Sequence, residues 1–479
     1  MLSKISTSKG SRFSLSSLGR AFFSQKIEIP RLAFSRQFSA PNQDKEVDSV
    51  ASTKEQIREM IKQASGDLKK RADEGDAESQ ANYGEYLESG KIGTQDDGEA
   101  ARYYKLSAEQ QCPNGLYNYG RVLIKGIGVE KNEKLGLHYL NAAAGQDFTP
   151  AQFLLATLYF DGTDEIKKNH IMSARYFKLA ADKGIKSAQN SYAFMLLNGD
   201  GVTKDENLAA EYFKKSAEQG DADAQANYAK MLQENPTDIK QAVEYFEKAA
   251  AKGSVEAMTS LASFYYLGKG LAQDITKALE WAKKAADTGE AVGHTTYGYY
   301  LQQSMKLEEA VAQYKIAAEK GDVTAIGNLA RMYQFGEGCK PNIAEALKLY
   351  KEAADKGDPS CANSYAFLLQ KGQGKARDMN EIIKYYKIAV DAKHTVAMNN
   401  LGILYLKGDS GVKQNVDEAI KLFTMSAEQG NSSGFLNIGF IYERGVGKPK
   451  NIEEAKKYYQ LAANQGNGFA FKLLEKLKK

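Results

Sequence analysis

Cysteine, histidine, proline and tryptophan are scarce in this chain: its 479 residues include 3, 4, 8 and 1 of them. Cys112, Cys339 and Cys361 stand far apart, with no C-x-x-C pair. That excludes a disulfide framework and a cysteine metal knot, and suits a reducing compartment in which the thiols are small core residues. The histidines, His138, His170, His294 and His394, are equally scattered, and no H-E-x-x-H pattern joins them. Nor is there a G-x-S-x-G element, or a nucleophile with a base beside it in sequence. No catalytic, metal-binding or cofactor-binding residue is therefore expected, and no small-molecule substrate. No apolar run approaches the ~18 residues of a membrane-spanning helix, so none is expected. The shortage of proline, beside abundant Ala, Leu, Lys, Glu and Tyr, favours helix over sheet.

Charge of one sign is missing from the first forty residues. Lys4, Lys9, Arg12, Arg20, Lys26, Arg31 and Arg36 face a single acid, Glu28, among eight serines from Ser3 to Ser24. Leu15, Leu18 and Phe22 can share a helical face beside Arg12 and Arg20. An amphipathic, Ser- and Arg-rich, acid-poor start without an unbroken apolar core reads as a mitochondrial or plastid transit peptide over residues 1–40, with the matrix as expected destination. Arg36-Gln37-Phe38-Ser39-Ala40 resembles a matrix-peptidase cleavage site. The whole chain carries +4, and residues 1–38 alone carry seven basic groups against one acid. The remainder is thus about −2 and near neutral, which argues against a nucleic-acid partner. Residues 41–75 read as a polar linker followed by a capping helix, whose apolar pattern is Ile57, Met60, Ile61, Leu68 and Ala72.

The rest of the chain is repetitive. A segment of about 36 residues recurs eleven times, with boundaries near Gly75, Gln111, Gln146, Gly184, Gly220, Gly253, Gly289, Gly321, Gly357, Lys393, Gly430 and Gly466. Each copy opens with a large residue followed by a small one, as in Tyr83-Gly84, Tyr192-Ala193, Leu329-Ala330 and Ile438-Gly439. Another large apolar residue follows four positions after the first, so the large residues share one helical face. A second helix pairs alanine with a large residue three positions on: Ala174/Phe177, Ala210/Phe213, Ala278/Trp281, Ala455/Tyr458. Between the helices lies a glycine turn such as Gly126-Ile127-Gly128 or Gly336-Glu337-Gly338. These G-x-G elements follow no strand and lack the P-loop Lys-Ser/Thr, so they read as helix-closing turns and not phosphate cradles. A period of this length with two apolar stretches is the signature of a solenoid of helix pairs.

These residues resemble the Sel1-like repeats, relatives of the tetratricopeptide repeats, whose pattern is A-x-x-x-L-G-x-x-Y-x-x-G-x-G-V and then A-x-x-W/Y-x-x-x-A-A-x-x-G. The resemblance covers residues 76–466. It implies an all-α, right-handed α/α superhelix of about eleven helix-turn-helix repeats, with the first helices on the concave side, closed by a capping helix at 467–479. Two copies depart from it. In 221–253 the turn becomes Glu234-Asn235-Pro236-Thr237, and in 290–321 it shrinks around Gln303-Ser304.

The candidate binding residues form a ladder. A polar side chain precedes the large-small pair in ten copies, among them Asn82, Asn118, Asn227, Asn328, Asn400 and Asn437, and Leu154 interrupts the series. On a concave wall these amides could hold a partner's backbone or C-terminal carboxylate; they could equally bond within the stack. Adjacent tyrosines, such as Tyr103-Tyr104 and Tyr385-Tyr386, cannot share a face. One ring is expected in the core, and the other either at a partner or against the next unit. Solenoids of this type bind proteins, so the expected function is a non-enzymatic, mitochondrial scaffold or adaptor, or an accessory subunit of a larger complex. The alternatives are an organellar RNA-binding helical repeat and, further off, a β-lactamase-like enzyme. The latter's regularly spaced cysteine pairs are absent here.

Overall fold

The structure is a computed structural model and describes residues 63–90, 94–373, 377–408 and 411–478. The transit-peptide segment and the start of the linker lie outside the described residues. A helix at 63–73, α1, leads into eleven antiparallel helix pairs. Units 1 to 4 are α2 (Ala77–Ser89) with α3 (Asp97–Glu109), α4 (Pro113–Lys125) with α5 (Glu133–Gly145), α6 (Thr149–Asp161) with α7 (His170–Asp182), and α8 (Lys186–Asn198) with α9 (Glu206–Glu218). Units 5 to 8 are α10 (Ala222–Leu232) with α11 (Ile239–Ala250), α12 (Val255–Leu267) with α13 (Ile275–Asp287), α14 (Ala291–Gln303) with α15 (Leu307–Glu319), and α16 (Val323–Phe335) with α17 (Ile343–Asp355). Units 9 to 11 are α18 (Pro359–Gln370) with α19 (Met379–Asp391), α20 (Thr395–Lys407) with α21 (Val416–Glu428), and α22 (Ser433–Arg444) with α23 (Ile452–Asn464). α24 (Gly468–Lys478) closes the array. No strand occurs among the described residues.

The core of each unit follows from matching a small residue to a large one. A Cβ at Gly84 would lie 2.6 Å from the Tyr104 ring, and one at Gly439 would lie 2.4 Å from Tyr459. The glycines therefore let the second helix's aromatic ring lie against the first helix's backbone, which outweighs the ~1 kcal/mol that a mid-helix glycine costs. In unit 4 the fully buried alanine is Ala209 and Ala210 is half-buried, so the buried alanine lies one residue before the one the sequence pairs with Phe213. In the tyrosine pairs the second ring packs against a neighbouring element, one of the two alternatives the sequence left open, and here it is the preceding element. Tyr103 and Tyr104 are both buried, as are Tyr385 and Tyr386. A second helix packs on two sides: Tyr104 reaches Glu88 of its own first helix, and Tyr103 reaches Asp73 of α1.

The glycine turns of units 2, 4 and 8 do two jobs. Gly126 closes α4 in the left-handed conformation, at φ 69°. Gly128 presses on the preceding unit, and an added Cβ would meet the carbonyl of Asp97, at the start of α3, at 1.9 Å. Gly201 and Gly338 sit in the same way on His170 and Leu307. At the boundaries between units, three non-glycine residues take the left-handed place: Gln111, Asp147 and Lys393. The third boundary therefore falls at Asp147, one residue after Gln146.

Second helices start on Asn or Asp caps. Asp96, Asn132, Asn169, Asp205, Asp274, Asn342, Asp378, Asn415 and Asn451 each accept a bond from an amide in the first turn. Units 5 and 7 differ, because neither Asp238 nor Lys306 makes a side-chain cap. These are the two copies whose turns depart from the repeat. In unit 7 the shortened turn puts Met305 in the left-handed region at φ 60° and exposes its side chain.

The units join through side chains about one repeat apart. The Tyr212 hydroxyl donates to Asp182 at 2.5 Å, and Tyr385 donates to Asp355 at 2.7 Å. Each carboxylate also meets a lysine one turn earlier, Lys178 and Lys351. Within a unit, Ser107 and Ser216 of the second helix donate to the carbonyls of Ala77 and Lys186 at the start of the first. Among helices two apart in the chain, α2 with α4, α12 with α14 and α18 with α20 are the pairs in strongest contact, and all are first helices. Closer approach on that side bends the array toward the first helices, so they form its inner wall.

Candidate partner-binding surface

The ladder lies on this wall and largely bonds within it. Asn118 is buried and donates to Glu85 at 3.0 Å and Asn114 at 2.9 Å; Asn82 accepts from Asn114 at 3.3 Å. Asn227 donates to Asn190 at 3.1 Å and Asn400 to Asn363 at 2.9 Å, in each case linking successive first helices. Asn328 is half-buried and within hydrogen-bonding reach of the Tyr314 hydroxyl, and Asn437 is half-buried. Leu154, where the series breaks, packs on the core.

The histidines and cysteines stay apart. His394 caps α20, His294 meets Gln313 at 2.8 Å, and His138 and His170 lie against Tyr139 and Phe160. Burial pushes the Cys361 thiol up, away from the reactive thiolate, and does the same to Cys339. Among the described residues, no group of three His, Cys, Asp or Glu side chains is placed to hold a metal.

A buried charge cluster lies between units 1 and 2. Arg121, only 8% exposed, forms a two-pronged ion pair with Glu88, and the Tyr104 hydroxyl donates to the same carboxylate at 2.8 Å. Burial alone would raise the Glu88 pKa. The bond and charge of Arg121 outweigh it and hold the carboxyl below its ordinary value. Burial and the nearby Glu88 together push the Tyr104 hydroxyl well up. A paired and fully bonded cluster of this kind locks a joint between units; nothing in it is left to act on a ligand.

A second feature of the wall was missed in sequence. A second pair of columns lies two and six residues beyond the large residue of each first helix; in unit 11 the first of them, Phe440, also packs edge-on against Tyr459 of its second helix. In units 8 to 11 these positions hold Arg331/Phe335, Phe367/Lys371, Ile403/Lys407 and Phe440/Arg444, one cation and one large apolar residue each time. Aligning these two columns across the copies would have revealed the pattern. Phe335 is 63% exposed, and Phe367, Lys371, Lys407 and Arg444 are exposed as well.

The family model for the Sel1 repeat matches ten copies, across residues 77–289, 323–431 and 436–467. The chain belongs to the Sel1 repeat family. Unit 7, uncapped and with a shortened turn, is not matched, yet it continues the same stack of helix pairs. Among solved structures, a protective antigen of uropathogenic Escherichia coli with an SLR fold is 26% identical, over 86% of this chain and 90% of that one, at a TM-score of 0.58. A Sel1 repeat protein from Oxalobacter formigenes is 25% identical over 75% of this chain and 93% of that one, at a TM-score of 0.41. Chitin synthase regulatory factor 2 of Schizosaccharomyces pombe is 30% identical over 83 residues, which is 17% of this chain and 16% of that protein. The match therefore spans less than a fifth of that relative's length. A Sel1-repeat solenoid is consistent with a protein-interaction scaffold, and no helix among the described residues is long and apolar enough to cross a membrane.

Proposed function

We propose that this Sel1-repeat protein is a non-enzymatic scaffold of the mitochondrial matrix, which holds a partner protein against its first-helix wall or serves as an accessory subunit of a larger complex. The observation that carries this reading is the wall itself. It presents large apolar side chains, Leu267, Val292, Phe335, Phe367 and Val396, to solvent from successive first helices. Single exposed apolar residues are ordinary, but a run of them along one face is where protein partners dock. The basic, serine-rich start of the sequence supports the organelle.

Affinity purification of the tagged protein from mitochondria, followed by mass spectrometry and native sizing, tests the scaffold. Stoichiometric co-purification of a protein is expected. Migration as a free monomer with no enriched protein would remove the reading. Deletion of residues 1–38 is expected to leave the protein in the cytosol; continued import would refute the localisation.

A further inference from the structure

We infer that the wall of units 8 to 11 is a docking site for an acidic protein segment that carries large apolar side chains. This rests on the scaffold reading and names the chemistry of the partner. Four consecutive units repeat one cation and one large apolar residue at the same two positions, so the arrangement is a row and not a scatter. Two of the pairs are built alike: the Lys371 ammonium lies 5.3 Å from the centre of the Phe367 ring, and the Arg444 guanidinium lies 5.6 Å from that of Phe440. Phe440 continues the row into α24, where the exposed Phe469 ring lies 6.3 Å away.

The wall is short of acids. The helices α14, α16, α18 and α20 contain none, and α22 contains one, Glu443, whose carboxylate accepts from the Tyr459 hydroxyl. The acids at the helix starts, Asp322 and Asp358, are occupied in capping. Arg331 is paired with Glu337 of the glycine turn, but among the described residues no carboxylate pairs with Lys371, Lys407 or Arg444. Three unpaired cations, one per unit and each beside an apolar side chain, complement a chain that alternates carboxylates with apolar anchors. Nucleic acid fits less well, since Ile403 and Val396 offer no ring for a base to stack on and the cations are few and widely spaced.

The test is fluorescence anisotropy of the purified protein with a labelled peptide of repeated Glu-Asp-Phe-Glu-Leu. Controls are the same peptide with Lys for its acids and a labelled oligouridylate. Saturable binding of the acidic peptide is expected, weakening with salt. Combined Lys371→Glu, Lys407→Glu and Arg444→Glu should weaken it at least about tenfold. Phe335→Ser with Phe367→Ser should weaken it without changing its salt dependence, and Lys125→Glu at the other end of the wall should change nothing. Circular dichroism confirms that the variants are folded. Equal binding of the acidic and basic peptides, or an unchanged affinity in the triple variant, would overturn the site. So would oligouridylate binding that the triple variant abolishes while the acidic peptide stays free. The two readings fail separately. If wild type and triple variant retrieve the same mitochondrial proteins, this site falls and the scaffold stands; if wild type retrieves none, the scaffold itself falls.

Discussion

The first-helix wall changes character along its length, although the fold beneath it does not. From α2 to α12 it carries Glu78, Glu85, Glu88, Asp161, Asp223 and Glu256. Two cations at the outward positions are satisfied between units, Arg121 by Glu88 and Lys230 by Glu256, while the exposed Lys125 has no ion pair among the described residues. From α14 to α22 a single acid remains and three cations have no carboxylate partner among the described residues. The front of the wall uses Arg121 and Lys230 in its own joints, and the back leaves Lys371, Lys407 and Arg444, beside large apolar side chains, without a carboxylate among the described residues. The alternation of small and large residues that builds the core is the same in both halves, so the fold leaves the outward columns free to differ.

The contrast breaks hardest at Arg121. Arg121→Ala leaves Glu88 buried without its partner and should cost about 3–5 kcal/mol in urea unfolding, whereas Lys371→Ala at the back should stay within about 0.5 kcal/mol. Comparable losses from the two would show that the back cations are structural too. The shared core predicts parity instead. Gly84→Ala and Gly439→Ala push a methyl into Tyr104 and Tyr459, and each should cost about 1–3 kcal/mol, similar at the two ends. Thermal denaturation of the two variants checks this. A smaller effect separates the regular units from the departing ones. Asn342→Ala removes a cap and should cost about 1 kcal/mol, while Asp238→Ala, where no side-chain cap exists, should be close to neutral.

The smallest effect concerns pH. Burial works to raise the Asp182 carboxyl, but the bonds from Lys178 and Tyr212 hold it below the ordinary 3.8; Lys351 and Tyr385 do the same for Asp355. A carboxyl depressed in the folded state contributes stability that is complete above its unfolded pKa and fades as pH falls through and below that range. Stability measured from pH 6 to pH 3 should therefore decline, and Tyr212→Phe and Tyr385→Phe should flatten the decline equally at front and back. A flattening confined to one of the two would show that these joints are not equivalent.

Much of this was legible in the sequence because a solenoid repeats its reasons. The period, the paired helices, the left-handed glycine that closes α4 and the departures in units 5 and 7 all follow from residue size, turn chemistry and spacing. The misreadings were local. Asp147 adopts the left-handed backbone that glycine takes elsewhere, so the boundary seemed one residue early. Ala209 and Ala210 are equally small, so only packing could say which is buried. Tyr103 and Tyr104 leave two alternatives open in sequence, a partner or the neighbouring unit for the second ring, because spacing shows that adjacent side chains diverge but not what the far side of the helix meets. The asparagine ladder was visible, but its bonds to Glu85, Asn190 and Asn363 depend on where the preceding unit puts its side chains. The row in units 8 to 11 escaped notice because periodicity draws the eye to what every copy shares.

The second glycine of the turn gives the array a direction in units 2, 4 and 8. Gly128 rests on the start of α3, Gly201 on α7 and Gly338 on α15, each time on the unit before it in the chain. A polypeptide made from its N-terminus thus finishes every seat before the turn that will occupy it leaves the ribosome, and the solenoid can be assembled in the order in which it is translated.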